Sequence, residues 1–177
     1  ESVVTIGDLV KKGAVQPMSA ISVNARKEGN WTLRTPDGPK AIRWPRVLLN
    51  AMPGAPDLTI DPGLRGSYDI YVHVRAVNQG GALGMDAKPD EGLFPMAFEL
   101  ALDDESRRER VGAKGFPGYH YDTYVLACHH WRMDGRKMVL RSIGRPVYLY
   151  GFRFVPAKGS PGGDARKVTR WLATDHV

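Results

Sequence analysis

The sequence predicts an all-β protein, a two-sheet antiparallel jelly-roll sandwich with at most one or two short helices. Three observations carry this expectation. Several segments alternate apolar and polar residues with the period of two that half-buried strands require. Gly and Pro, 20 and 13 of the 177 residues, cluster between those segments, where turns need them. The segments number eight to ten, too many for a five-stranded barrel and suited to a double-sheet sandwich.

The elements follow in chain order. Thr5 to Lys12 reads as a short helix capped by Thr5 and closed by Gly13, with a strand as the alternative. Weaker strands are expected at Ile21 to Arg26, Trp31 to Thr35, Arg46 to Leu49 and Asp57 to Ile60. The clearest strand runs from Gly66 to Arg75. It turns Tyr68, Ile70, Val72 and Val74 one way and Asp69, Tyr71, His73 and Arg75 the other. Gln79 to Leu93 is rich in Gly, Asp and Pro and reads as a long loop. Met96 to Leu102 puts Phe98, Leu100 and Leu102 on one face, and Tyr121 to His129 groups Tyr124, Leu126 and Cys128. Arg136 to Ile143 and Val147 to Val155 follow. In the last of these Tyr148, Tyr150, Phe152 and Phe154 share a side, and Gly151 marks a bulge or a close backbone approach. The Asp134-Gly135 pair reads as a hairpin turn. Residues 1–156 form the sandwich, and 157–177 form a linker-like tail with a candidate final strand.

A hydrophobic share of 42% with 25% charged residues is that of a globular chain. The formal charge of +6 is mildly basic, and it favours solvated surface or an acidic partner. Cys128, the only cysteine, falls in the alternating pattern as a core residue and rules out an internal disulfide. No stretch reaches the roughly 20 apolar residues of a membrane-spanning helix. The sequence opens at Glu1 without Met or an apolar signal segment, which suggests a processed or excised chain.

Catalytic and metal signatures are weak. His73, His120, His129, His130 and His176 form no metal-ligand pattern. His129 and His130 are adjacent, so a regular strand would leave one packed and one exposed. No cofactor is expected. Calcium enters only as a candidate structural ion, at Asp103-Asp104-Glu105 or at Asp86, Asp90 and Glu91. A glycosidase carboxylate pair can be sought among Asp69, Glu99 and Asp122. Asn30-Trp31-Thr32 is formally a glycosylation sequon.

Aromatic residues carry the remaining chemistry. Trp31 and Trp44 flank turns, and Phe116, Tyr119, His120 and Tyr121 crowd one Gly/Pro loop. Trp131 and Arg132 lie beside Asp134-Gly135. Exposed rings offer flat faces to sugars while Arg and His supply hydrogen bonds, so these eight residues are the expected ligand site.

The segments Asp57 to Val72, Trp131 to Arg141 and Val147 to Pro156 together resemble β-sandwich modules attached to bacterial glycan-active enzymes. The resemblance implies a galactose-binding-like or carbohydrate-binding-like jelly roll, and it transfers no site residue. The leading expectation is a non-catalytic sugar-binding or scaffolding module of an exported, multidomain, glycoside-hydrolase-type enzyme, secreted or periplasmic. Its partners would be a polysaccharide or oligosaccharide, acidic ones included, and an adjacent catalytic domain. The first alternative is a jelly-roll lyase or glycosidase in its own right, for which Tyr71 and His73 share a strand face. Nucleic-acid binding by a basic surface with stacking rings comes last.

Overall fold

Alternating segments become strands here because each can bury one face, and the Gly- and Pro-rich stretches become the turns between them. The structure, a computed structural model, describes residues 2–36, 47–76, 94–103, 108–113, 121–142, 148–158 and 168–173. The N-terminal part comprises β1 (Ser2–Thr5), α1 (Ile6–Lys11), β2 (Val15–Gln16), β3 (Ile21–Val23) and β4 (Trp31–Arg34). Then come β5 (Leu48–Ala51), β6 (Leu58–Ile60), β7 (Ser67–Ala76), β8 (Phe94–Leu102) and β9 (Arg108–Ala113). β10 (Tyr121–Arg132), β11 (Met138–Ser142), β12 (Tyr148–Pro156) and β13 (Val168–Ala173) complete the chain.

The strands form two sheets. The larger has the order β13-β10-β7-β12-β5-β4-β3, with β1 also paired to β12. The smaller has the order β2-β6-β11-β8-β9. From β5 to β12 the chain changes sheet at every connection except β8 to β9. The resulting orders β10-β7-β12-β5 and β6-β11-β8-β9, antiparallel throughout, are those of a jelly roll. The expected fold class is therefore the observed one.

The faces expected of β7 and β8 are those observed. Ile70, Val72, Val74, Phe98, Leu100 and Leu102 are all buried between the sheets. Leu58 and Ile60 of β6, with Met138 and Leu140 of β11, join Phe98, Leu100 and Leu102 on the inner face of the smaller sheet, opposite Ile70, Val72 and Val74 of the larger.

Two segments depart from simple alternation. The pairing of β10 with β7 shifts register between Leu126 and Cys128, and again between Cys128 and Trp131. Cys128 is buried as expected, but on the opposite side from Tyr124 and Leu126, which pair with the outward His73 and Tyr71. In β12 the shift falls between Leu149 and Gly151, which turns Leu149, Phe152 and Phe154 inward. Gly151 marks both a bulge and a close approach, since it lies opposite Thr5 of β1.

The Asp134-Gly135 turn forms, with φ of 42° and 78°. It is not a hairpin, however: β10 pairs in the larger sheet and β11 in the smaller, so the turn carries the chain between sheets. The helix expected near Thr5 also forms. Thr5 Oγ1 accepts the Asp8 N–H at 3.1 Å, and Gly13 follows at φ 70°. The candidate final strand is β13, which pairs antiparallel with β10.

Candidate functional site

The pleat that buries Val72 and Val74 turns Tyr71 and His73 to the outer side of the larger sheet. Register then sets their neighbours. Gly151, His73 and Tyr124 form one row across β12, β7 and β10, and Arg153, Tyr71 and Leu126 form the next. Rows on one face lie about 6.8 Å apart along the strands, twice the rise per residue.

The row at His73 is aromatic. His73 stacks on Tyr124 with ring centroids 4.5 Å apart and planes 14° apart. Tyr150, thrown out of the ladder by the bulge in β12, meets the same imidazole at 4.9 Å and 43°. Tyr150 is only 3% exposed, yet it stands outside the core cluster. In the next row the Arg153 guanidinium lies 5.7 Å from the Tyr71 ring centre, within cation–π range.

His73, Tyr124 and Tyr150 floor a cavity of about 450 Å³, a size typical of small-ligand sites. Its wall is the N-terminal segment, where Val3 and Val4 of β1 lead into Gly7, Asp8 and Lys11 of α1. Val47 closes it further, its side chain 3.4 Å from where a Cβ on Gly7 would stand. The floor is apolar and aromatic, while Thr5, Asp8 and Lys11 at the rim are exposed and polar. Such a site can stack a flat apolar face and hydrogen-bond its edge.

Among the described residues, the expected ligand residues are not brought to one surface. Trp31 and Trp131 are core residues, 0% and 1% exposed. Trp31 Nε1 donates to the Pro56 carbonyl at 2.6 Å, which satisfies its polar edge inside the fold. β10 is 12 residues long, which separates Tyr121 from Arg132 by roughly 30 Å or more. Arg132 is exposed and held by the Asp134 carboxylate at the turn. The Gly66 N–H and then Arg132 keep the Asp134 carboxyl below its ordinary value. Trp44, Phe116, Tyr119 and His120 lie outside the described residues, and Tyr121 contributes only its backbone position.

The other candidates also fall into place. Asp69 Oδ1 accepts from His129 Nδ1 and from the His130 backbone N–H, each at 2.9 Å. Both histidines are half-buried rather than one packed and one exposed, because His130 takes φ 57° at a bulge. Glu99 lies on the outer side of the smaller sheet, bonded to Arg141, while Asp69 is on the larger sheet. The two cannot flank one glycosidic bond, and the side chain of Asp122 is outside the described set. Of the calcium candidates only Asp103 is described, and its carboxylate accepts the Lys137 N–H. Among the described residues no helix is long and apolar enough to cross a membrane.

Sequence reading singled out Tyr71 and His73 but placed Tyr124 and Tyr150 with the core faces. The signal for Tyr150 was its neighbour Gly151, since a bulge there turns the adjacent ring out of phase. Searches against known protein families, curated proteins and solved structures found no match to this chain.

Proposed function

We propose that this jelly roll is a non-catalytic carbohydrate-binding module of an exported glycan-active enzyme. On this reading it holds a sugar in the cavity floored by His73, Tyr124 and Tyr150. The observation that supports it is the pairing of that aromatic floor with a polar rim at Thr5, Asp8 and Lys11. Sugars present the same division, apolar C–H faces and a hydroxyl edge. The resemblance of Asp57 to Val72 and of Val147 to Pro156 to modules of such enzymes points the same way.

Isothermal titration against a panel of neutral and acidic glycans tests it. Binding is expected, and Tyr124→Ala weakens it at least about tenfold, or about 1.4 kcal/mol. Because Tyr124 is half-buried on the outer side, unfolding of that variant stays close to the parent's. Silence across the panel, or binding indifferent to Tyr124, overturns the assignment.

A lyase is the second reading, favoured by Tyr71 and His73 in adjacent rows with Arg153 beside Tyr71. It requires new unsaturated chain ends to accumulate when an acidic polysaccharide is incubated with the protein. Their appearance would replace the binding-module reading with an enzymatic one.

A further inference from the structure

The basic composition of the chain and the charge at its cavity point to different ligands. A formal charge of +6 attracts anions from a distance. Among the described residues, however, the charged side chains at the rim are Asp8 and Lys11, three residues apart on α1 and so on one side of that helix. Neither side chain is engaged in an ion pair or hydrogen bond among the described residues.

We infer that the cavity selects an uncharged sugar over the corresponding uronate, with Asp8 as the specificity-determining side chain; this rests on the carbohydrate reading above. An ionised carboxylate accepts hydrogen bonds on both oxygens, so Asp8 can take two neighbouring hydroxyls of a sugar held against Tyr124 and His73. A uronate entering the same place brings a second negative charge beside Asp8, and the two like charges repel. Lys11 does not offset this equally. Its ammonium sits on a flexible four-carbon stem and swings out to solvent, whereas the short stem of Asp8 holds its charge at the rim.

The experiment is titration with a matched pair, a glucose oligosaccharide and the glucuronate oligosaccharide of the same linkage. The parent, Asp8→Asn, Lys11→Ala, Tyr124→Ala and the double variant Lys12→Ala/Lys137→Ala are compared. The parent is expected to bind the neutral ligand at least about tenfold more tightly. Asp8→Asn abolishes that preference by weakening the neutral ligand and strengthening the uronate, and its unfolding midpoint stays put.

A parent that prefers the uronate, and loses it in Lys11→Ala, overturns the selectivity and leaves the carbohydrate site standing. A preference that Asp8→Asn does not change removes Asp8 from the role. Uronate binding that ignores Tyr124→Ala but falls in the Lys12/Lys137 variant moves the site to the groove between α1 and the smaller sheet. That result overturns both the selectivity and the proposed cavity. No binding of either ligand by the folded parent, with silence across the wider panel, defeats the carbohydrate reading itself.

Discussion

Gly151 of β12 lies against Thr5 of β1 so closely that a Cβ on the glycine would stand 2.9 Å from the Thr5 Cα and closer still to the Val4 carbonyl oxygen. Both obstacles are backbone, which cannot rotate aside as a side chain tip can. The contact seats the N-terminal segment, and that segment is the cavity wall. Gly151→Ala is therefore expected to push β1 off β12 at a cost of about 1–3 kcal/mol, the usual range for overpacking. Amide exchange at residues 2–5 accelerates while that at β7 stays slow. Unchanged protection of residues 2–5 would show that β1 shifts and keeps its pairing.

Ile70 is 0% exposed between the sheets, with Phe154 opposite it in the register of β12. Replacing it with Ala removes packed methylenes and leaves a cavity, so Ile70→Ala is expected to cost about 2–5 kcal/mol in urea unfolding. A loss well under about 1 kcal/mol would mean that the core closes around the smaller side chain.

Trp31 separates packing from binding. Trp31→Phe keeps a ring in the core but strips the donor from the carbonyl of the exposed Pro56, a lost hydrogen bond worth about 0.5–1.5 kcal/mol. The variant is expected to unfold earlier and to titrate glycans as the parent does. A binding defect without a stability change would reinstate Trp31 as a ligand residue.

Asp134 supplies the pH dependence. The Gly66 N–H and the Arg132 guanidinium favour its charged form and hold its pKa below the ordinary 3.8. A lowered folded-state pKa adds stability above that ordinary value, and the contribution is lost as pH falls through the lower folded one. Asp134→Asn is thus expected to lower the urea midpoint at neutral pH, and the gap to the parent closes as the pH is taken below 3.8. A gap that stays constant into acid would trace the loss to turn geometry instead of charge.

Much of the fold was legible because its causes are local. A strand alternates sides by its own pleat, so the buried Ile70, Val72 and Val74 and the outward Tyr71 and His73 could be read from residues two apart. The Thr5 cap and the Asp134-Gly135 turn depend on a few neighbouring dihedrals and were equally readable. The candidate site was half legible for the same reason: His73 came from its own strand, and its partners did not.

What the tertiary structure alone decided is phase and company. The register of β10 on β7 puts Tyr124 opposite His73, and the bulge at Leu149/Gly151, which exists only in relation to β7, brings Tyr150 to the same imidazole. Burial of Trp31 and Trp131 depends on the sheet stacked over them, and the parting of β10 from β11 depends on which strands each finds to pair with. Sequence thus determined most of the strands, the faces of β7 and β8 and the jelly-roll class. Pairing between residues distant along the chain determined where those faces meet, because hydrogen-bond register belongs to two strands at once and is written in neither alone.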